Sequence, residues 1–155
     1  MDKYYLYPAT LFASDTSYEV TTVLGSCVAV CLWDNVKQIG GINHYMLPLW
    51  NGQGLATPKY GNIATEKLLQ RMLELGCSKS NITAKIFGGG EIIDTQISSF
   101  NIGERNIQIA KESLAELNIP IVGLSVGGKL GRKIIYYTET GKVLHKFIEK
   151  TLGNS

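Results

Sequence analysis

Strand-forming runs far outnumber helical segments in this chain, and that imbalance limits what it can fold into. β-Branched and aromatic residues gather in about seven short runs, at residues 20–24, 28–33, 38–46, 81–87, 119–126, 132–138 and 143–149. Only two segments repeat their apolar residues with helical spacing. In residues 59–75 these are Ile63, Ala64, Leu68, Met72 and Leu75, with Gly76 placed to stop the helix. The other begins at Asn101, with Glu104 at capping-box spacing and Ile107, Ala110, Leu114 and Leu117 as its inner stripe. Two helices can cover one face of one sheet, not both faces of so many strands. Part of the sheet must therefore pack on sheet, which predicts a layered α/β fold with a β-sandwich component.

A chain of 155 residues suits a single domain over residues 1–155. Hydrophobic residues make up 45% and charged residues 18%, as in an ordinary globular protein. The net charge is +2, with Lys and Arg scattered, so no basic stripe points to nucleic acid. The opening "MDKYYLYPATLFAS" carries an acidic second residue and no sustained apolar run, unlike a signal peptide. No stretch approaches the roughly 18 apolar residues that span a bilayer. These features predict a cytoplasmic protein without membrane insertion.

The three cysteines, Cys27, Cys31 and Cys77, form an odd set for a reducing compartment, so no disulfide framework is expected. No Cys-x-x-Cys is present and the two histidines stand far apart, so no metal site is expected either. Cys31 reads as a small core residue, Cys77, just after the helix-stopping glycine, as incidental, and His145 as a surface or satisfied strand histidine. Gly88-Gly89-Gly90 lacks the ending of a P-loop and reads as a tight passage from strand to loop. Lys59 and Tyr60 read as helix-start residues, as does the segment 101–106, with substrate contact the second reading of each.

The segment "VLGSCVAVCLWDNVKQIGGINHYMLP", from Val23 to Pro48, holds the chemistry. If Asn35-Val36 forms a two-residue hairpin loop, Asp34 faces Lys37, Trp33 faces Gln38 and Cys27 faces His44. Directly opposed residues place their Cβ atoms about 4.5–5.5 Å apart, within reach of a thiol–imidazole contact. A free thiol, with pKa near ~8.5, is only a few per cent thiolate at neutral pH. A neighbouring imidazole can take its proton and later return it to a leaving group. Gly25 before Ser26-Cys27 lets a carbonyl substrate approach main-chain N–H groups that would hold an oxyanion.

"VTTVLGSCVAVCLWD", "GGINHYMLP", "AKIFGGGEI", "FNIGERN" and "YYTETGKVL", in that order, resemble the CheD family of chemoreceptor glutamine deamidases. The match runs from about Val20 to Val143; the first fifteen residues show little family character. The resemblance implies an α/β/β layered fold, similar to the catalytic domain of cytotoxic necrotizing factor toxins. It implies a Cys–His–Thr triad in which Cys27 is the nucleophile, His44 the base and Thr21 the residue that orients the histidine. Thr22 adjoins Thr21, and a one-residue shift would exchange the two. Gly25 and Ser26 fall to the oxyanion site. The implied substrates are glutamines of chemoreceptor cytoplasmic helices, hydrolysed to glutamate without a cofactor by a protein that is monomeric alone. Some members are reported to act on receptor methyl esters, and members often partner a CheC-type phosphatase of the response regulator CheY. A regulatory partner of that phosphatase is thus the alternative to an enzyme, with a thiol acyltransferase or protease behind both. Ser125 stands where an acidic residue is expected before a glycine pair.

Overall fold

The structure is a computed structural model, and it describes residues 1–91 and 101–149. Its strands are β1 (Asp2–Tyr5), β2 (Thr10–Ser14), β3 (Tyr18–Leu24), β4 (Val28–Asp34), β5 (Ile39–His44), β6 (Ile82–Gly88), β7 (Ile121–Val126), β8 (Gly131–Tyr137) and β9 (Val143–Ile148). The helices are α1 (Gly61–Glu74) and α2 (Ile102–Glu116), and a single 3₁₀ turn spans Lys79–Asn81. Strands β1-β3-β8-β9 form one sheet, and β2-β5-β4-β6-β7 form a second.

Three layers result. One core lies between the helices and the five-stranded sheet, built from Val28, Val30 and Leu32 against Leu68, Met72 and Leu114. A second lies between the sheets, where Ala29, Cys31 and Ile42 meet Val20, Leu24, Ile134 and Tyr136. Strand β4 supplies both cores because alternate residues point to opposite faces of a sheet that is covered on each side. This is the expected α/β/β layering. Each fully buried leucine in these cores contributes about 1.5–3 kcal/mol.

The segment between β6 and β7 contains α2, and the two strands pair in parallel. Parallel neighbours require such a crossover, since no tight turn can reverse the chain twice. Helix α1 stops where Gly76 takes φ +101°, as its position predicts. The N-terminus of α2 departs from expectation. Asn101 is left-handed and makes no capping bond. The Glu104 amide instead donates to Glu91 Oε2 at 3.1 Å, so a carboxylate from the end of the glycine run takes the place of the capping box. Phe100, which opens the "FNIGERN" block, lies outside the described residues.

The N-terminal residues add two strands that the sequence pattern did not announce. Strand β1 pairs in parallel with β3, and β2 pairs with β5, Thr10 standing opposite His44.

Candidate active site

Cys27 sits where the chain passes from one sheet to the other. Strand β3 belongs to the four-stranded sheet and β4 to the five-stranded sheet, with Gly25-Ser26-Cys27 joining them. His44 ends β5 beside this passage. The site is therefore assembled from both sheets, in the layer between them.

The hairpin register differs from the predicted one. Four residues, 35–38, connect β4 to β5, and Asp34 pairs with Ile39. Asp34 shapes this longer turn: its Oδ1 accepts from the Val36 and Lys37 amides at 2.9 and 2.8 Å, and its Oδ2 from the Ser78 amide at 3.0 Å. Gln38 closes the turn in the left-handed region, φ 58°. The ladder then runs Cys31 opposite Ile42 and ends with Val28 opposite Tyr45. His44 consequently lies opposite Ala29, and Cys27 is one diagonal step away on the same face. Diagonal neighbours stand about 7–8 Å apart, still within reach of an imidazole. Cys27 and His44 share a face without direct opposition, and no hydrogen bond joins them in this resting state.

The hydroxyl that meets His44 belongs to Thr22 rather than to Thr21, the residue that the family resemblance pointed to. Thr22 Oγ1 lies 2.7 Å from His44 Nδ1 and donates to the Leu6 carbonyl at 2.7 Å. Neighbours on a strand point to opposite faces, so Thr21 cannot share this position. Thr21 instead lines a shallow groove on the outer face of the four-stranded sheet, with Lys3, Tyr5, Val23 and Lys133. The Thr22 bonds also fix the imidazole tautomer. A carbonyl only accepts, so the single Thr22 hydroxyl proton goes to Leu6 and Nδ1 must carry the proton donated to Thr22. Nε2 is left as the basic nitrogen. It is buried and has no partner among the described residues.

Burial sets the charge state of the pair. Cys27 is 4% exposed and His44 1%. Desolvation pushes the Cys27 thiol up to about 11, its own backbone N–H opposing weakly, and brings His44 down to about 4. The resting pair is thus a neutral thiol and a neutral imidazole rather than a thiolate–imidazolium pair.

The glycine run braces the Gly25-Ser26-Cys27 turn. Gly89 N donates to Cys27 O and Gly90 N to Gly25 O, both at 2.9 Å. Gly88 takes φ +109°, and a Cβ there would collide with the Cys27 carbonyl. Gly103 brings α2 equally close, since its Cβ would meet Gly89 O at 2.5 Å. Among the described residues, the Ser26 amide donates to no backbone acceptor, and the Cys27 amide faces its own sulfur.

Asn106 was not singled out from the sequence. It is fully buried, and its Nδ2 donates to Ser26 O and Met46 O, 3.0 Å each. Its main-chain carbonyl accepts from the Tyr45 hydroxyl at 2.5 Å. The available signal was its spacing: residues 103, 106, 110 and 114 form the buried face of α2, and an asparagine on such a face needs partners.

Elsewhere, Cys31 is buried between the sheets and Cys77 is buried beside Asp34. Ser125 Oγ accepts from Arg132 Nε at 3.2 Å and lies 3.2 Å from His145 Nε2. His145 is thereby a satisfied strand histidine, remote in the fold from His44. Among the described residues no cluster of three or more His, Cys, Asp or Glu could hold a metal ion, and no helix is long and apolar enough to cross a membrane.

Residues 46–147 match the family model described as CheD chemotactic sensory transduction, about two thirds of the chain. A Trichlorobacter lovleyi protein named probable chemoreceptor glutamine deamidase CheD is 53% identical over 142 residues, covering 92% of this chain and 88% of its own. A Sulfurimonas denitrificans protein of the same name is 46% identical over 97% of each chain. One from Rhodospirillum rubrum is 39% identical over 98% of this chain and 86% of its own. These alignments extend through the segment that carries Cys27 and His44, upstream of the family-model match. On identity and coverage alike, this chain belongs to the CheD family.

Proposed function

We propose that this protein is a chemoreceptor glutamine deamidase, which hydrolyses receptor glutamine side chains to glutamate with Cys27 as nucleophile and His44 as general base. The names of its relatives support the substrate class. The observation that carries the chemistry is the His44 ring, held by Thr22 through Nδ1, with Nε2 unpaired among the described residues on the face it shares with Cys27.

With a thiol pushed up to about 11, thiolate is scarce at neutral pH, so proton transfer must accompany attack. The Cys27 proton passes to His44 Nε2 as sulfur bonds to the glutamine carboxamide carbon. The carbonyl electrons move to oxygen, which the amides of Ser26 and Cys27 receive. The carbonyl then re-forms, the C–N bond breaks, and His44 protonates the departing nitrogen as ammonia. A thioester remains. His44 next takes a proton from water, whose oxygen bonds to the same carbon. The C–S bond breaks, leaving the glutamate side chain, and His44 returns its proton to sulfur to restore the thiol. Thr22 keeps the ring oriented but cannot stabilise imidazolium as a carboxylate would, so its loss harms less than loss of Cys27 or His44.

Ammonia release from a purified chemoreceptor cytoplasmic fragment tests the reading. Wild-type protein releases ammonia and His44→Ala does not. Release at an unchanged rate by His44→Ala would remove the base from the mechanism.

A further inference from the structure

The residue before His44 interrupts the ladder on which the base stands. In the β4–β5 register Asn43 lies opposite Val30 and His44 opposite Ala29, yet neither pair forms. Pairing runs from Asp34–Ile39 to Cys31–Ile42, lapses, and returns once at Val28–Tyr45. Both strands advance by the same number of residues across the gap, so no inserted bulge residue explains it. The Asn43 side chain fills the gap: its Oδ1 accepts from the Val30 amide at 2.8 Å.

This arrangement works against stability. Val30 N only donates, so Oδ1 faces it and Nδ2 points away. That Nδ2 is buried and has no partner among the described residues. Asn43 is itself fully buried, and along β5 it stands between Gly41, packed on Leu68 and Met72, and Tyr45, packed on Gly61. A β-branched apolar residue would suit that core and let the two main chains pair. An unpaired buried donor beside a missing ladder rung calls for an explanation.

The neighbouring base supplies it. A side-chain carbonyl oxygen lies one bond further from Cα than the main-chain oxygen. The Asn43–Val30 bond therefore bridges a wider separation than the 4.7–4.9 Å of paired strands, by roughly an ångström. On its other edge β5 stays fixed, with Thr10 paired to His44 and Ala9 N donating to His44 O at 2.8 Å. His44 thus stands off β4 while its ring reaches Thr22 in the facing sheet. We propose that Asn43 is a positioning residue, a wedge between β4 and β5 that sets where His44 Nε2 meets Cys27, a role that rests on the deamidase reading. It touches no reacting atom and acts through the main chain of His44.

The test compares wild type with Asn43→Val, which removes the wedge and the unpaired Nδ2 together. Ammonia release from a receptor fragment gives kcat and KM per folded molecule, and urea denaturation gives stability. A misplaced base lowers kcat about tenfold to a hundredfold and leaves KM within about twofold, with the urea midpoint no lower than wild type. Unchanged kcat per folded molecule, whatever the stability, overturns the proposal. Alkylation of Cys27 by iodoacetamide at pH 7, located by mass spectrometry, reads the pair without a receptor. It slows about tenfold in Asn43→Val, as in His44→Ala. An unchanged alkylation rate overturns the proposal; slowed alkylation in a protein whose wild type releases no ammonia fails the deamidase reading and leaves the wedge standing. A measurement on the wild type guards against a variant that does not fold. NMR coupling across the hydrogen bond connects Val30 ¹⁵N to the side-chain carbonyl carbon of Asn43. Its absence, or coupling to the Asn43 main-chain carbonyl instead, overturns the wedge.

Discussion

Replacing Thr22 with Val keeps the shape of a β-branched side chain and removes only the hydroxyl. Two buried groups then lose their partner: His44 Nδ1 and the Leu6 carbonyl, each 2.7 Å from Thr22 Oγ1. An unpaired buried donor or acceptor costs about 1–3 kcal/mol, so Thr22→Val loses about 2–6 kcal/mol of stability in total. Its catalytic effect has a separate origin. The Thr22 bond favours the tautomer with the proton on Nδ1 by about 1–2 kcal/mol, a factor of roughly 5–30 in population. Without it the two tautomers become comparably populated, so about half of the imidazole carries its proton on Nε2 and cannot act as the base, and kcat falls about twofold from this effect alone. Thr21→Val, on the outer face, changes neither quantity appreciably. Deamidation of a receptor fragment gives kcat, and urea denaturation gives stability, with Thr22→Ser as the variant that restores the hydroxyl. If Thr21→Val proves the more damaging, or Thr22→Ser is no better than Thr22→Val, the Thr22–His44 bond does not orient the base.

Two further predictions follow from burial. The Cys27 thiol lies near 11, so its alkylation by iodoacetamide accelerates with pH from neutrality through 9 and toward 11; a plateau with a midpoint near 7 would mean a preformed thiolate. His44 lies at about 4 against 6.5 for an ordinary histidine, so the unfolded chain binds its proton first on acidification. The stability this contributes, about 3 kcal/mol from a difference of about 2.5 pKa units, is present above pH 6.5 and lost as pH falls toward 4. Denaturation curves of wild-type and His44→Gln protein across that window show the steeper acid loss in the wild type, and parallel slopes would contradict it.

What could be read from the sequence was whatever follows from periodicity. The stripe of α1, the inner face of α2 and the runs of β4 and β6 were legible because one residue in two, or in three to four, must face a core. The shortage of helices then implied sheet on sheet. The two N-terminal edge strands escaped: β1 reads "DKYY", has all four residues exposed, and is held by pairing with β3 rather than by an apolar face. The register of the β4–β5 hairpin escaped because it depends on the Asp34 side chain binding three amides, one of them distant in sequence. Thr22 was within reach, since Val20, Thr22 and Leu24 alternate and the outer two are apolar. The family resemblance pointed to the neighbouring residue, and strand geometry decides between them. Neither the raised thiol nor the lowered imidazole was legible, because both arise from burial between two sheets.

The central claim is that Cys27 converts receptor glutamine to glutamate, and mass spectrometry tests it most directly. A chemoreceptor cytoplasmic fragment is incubated with wild-type or Cys27→Ala protein, digested, and its glutamine-containing peptides compared. The account predicts amide-to-acid conversion at defined glutamines with the wild type and none with Cys27→Ala. Conversion by Cys27→Ala at the wild-type rate, or an unaltered fragment in both incubations, would contradict it.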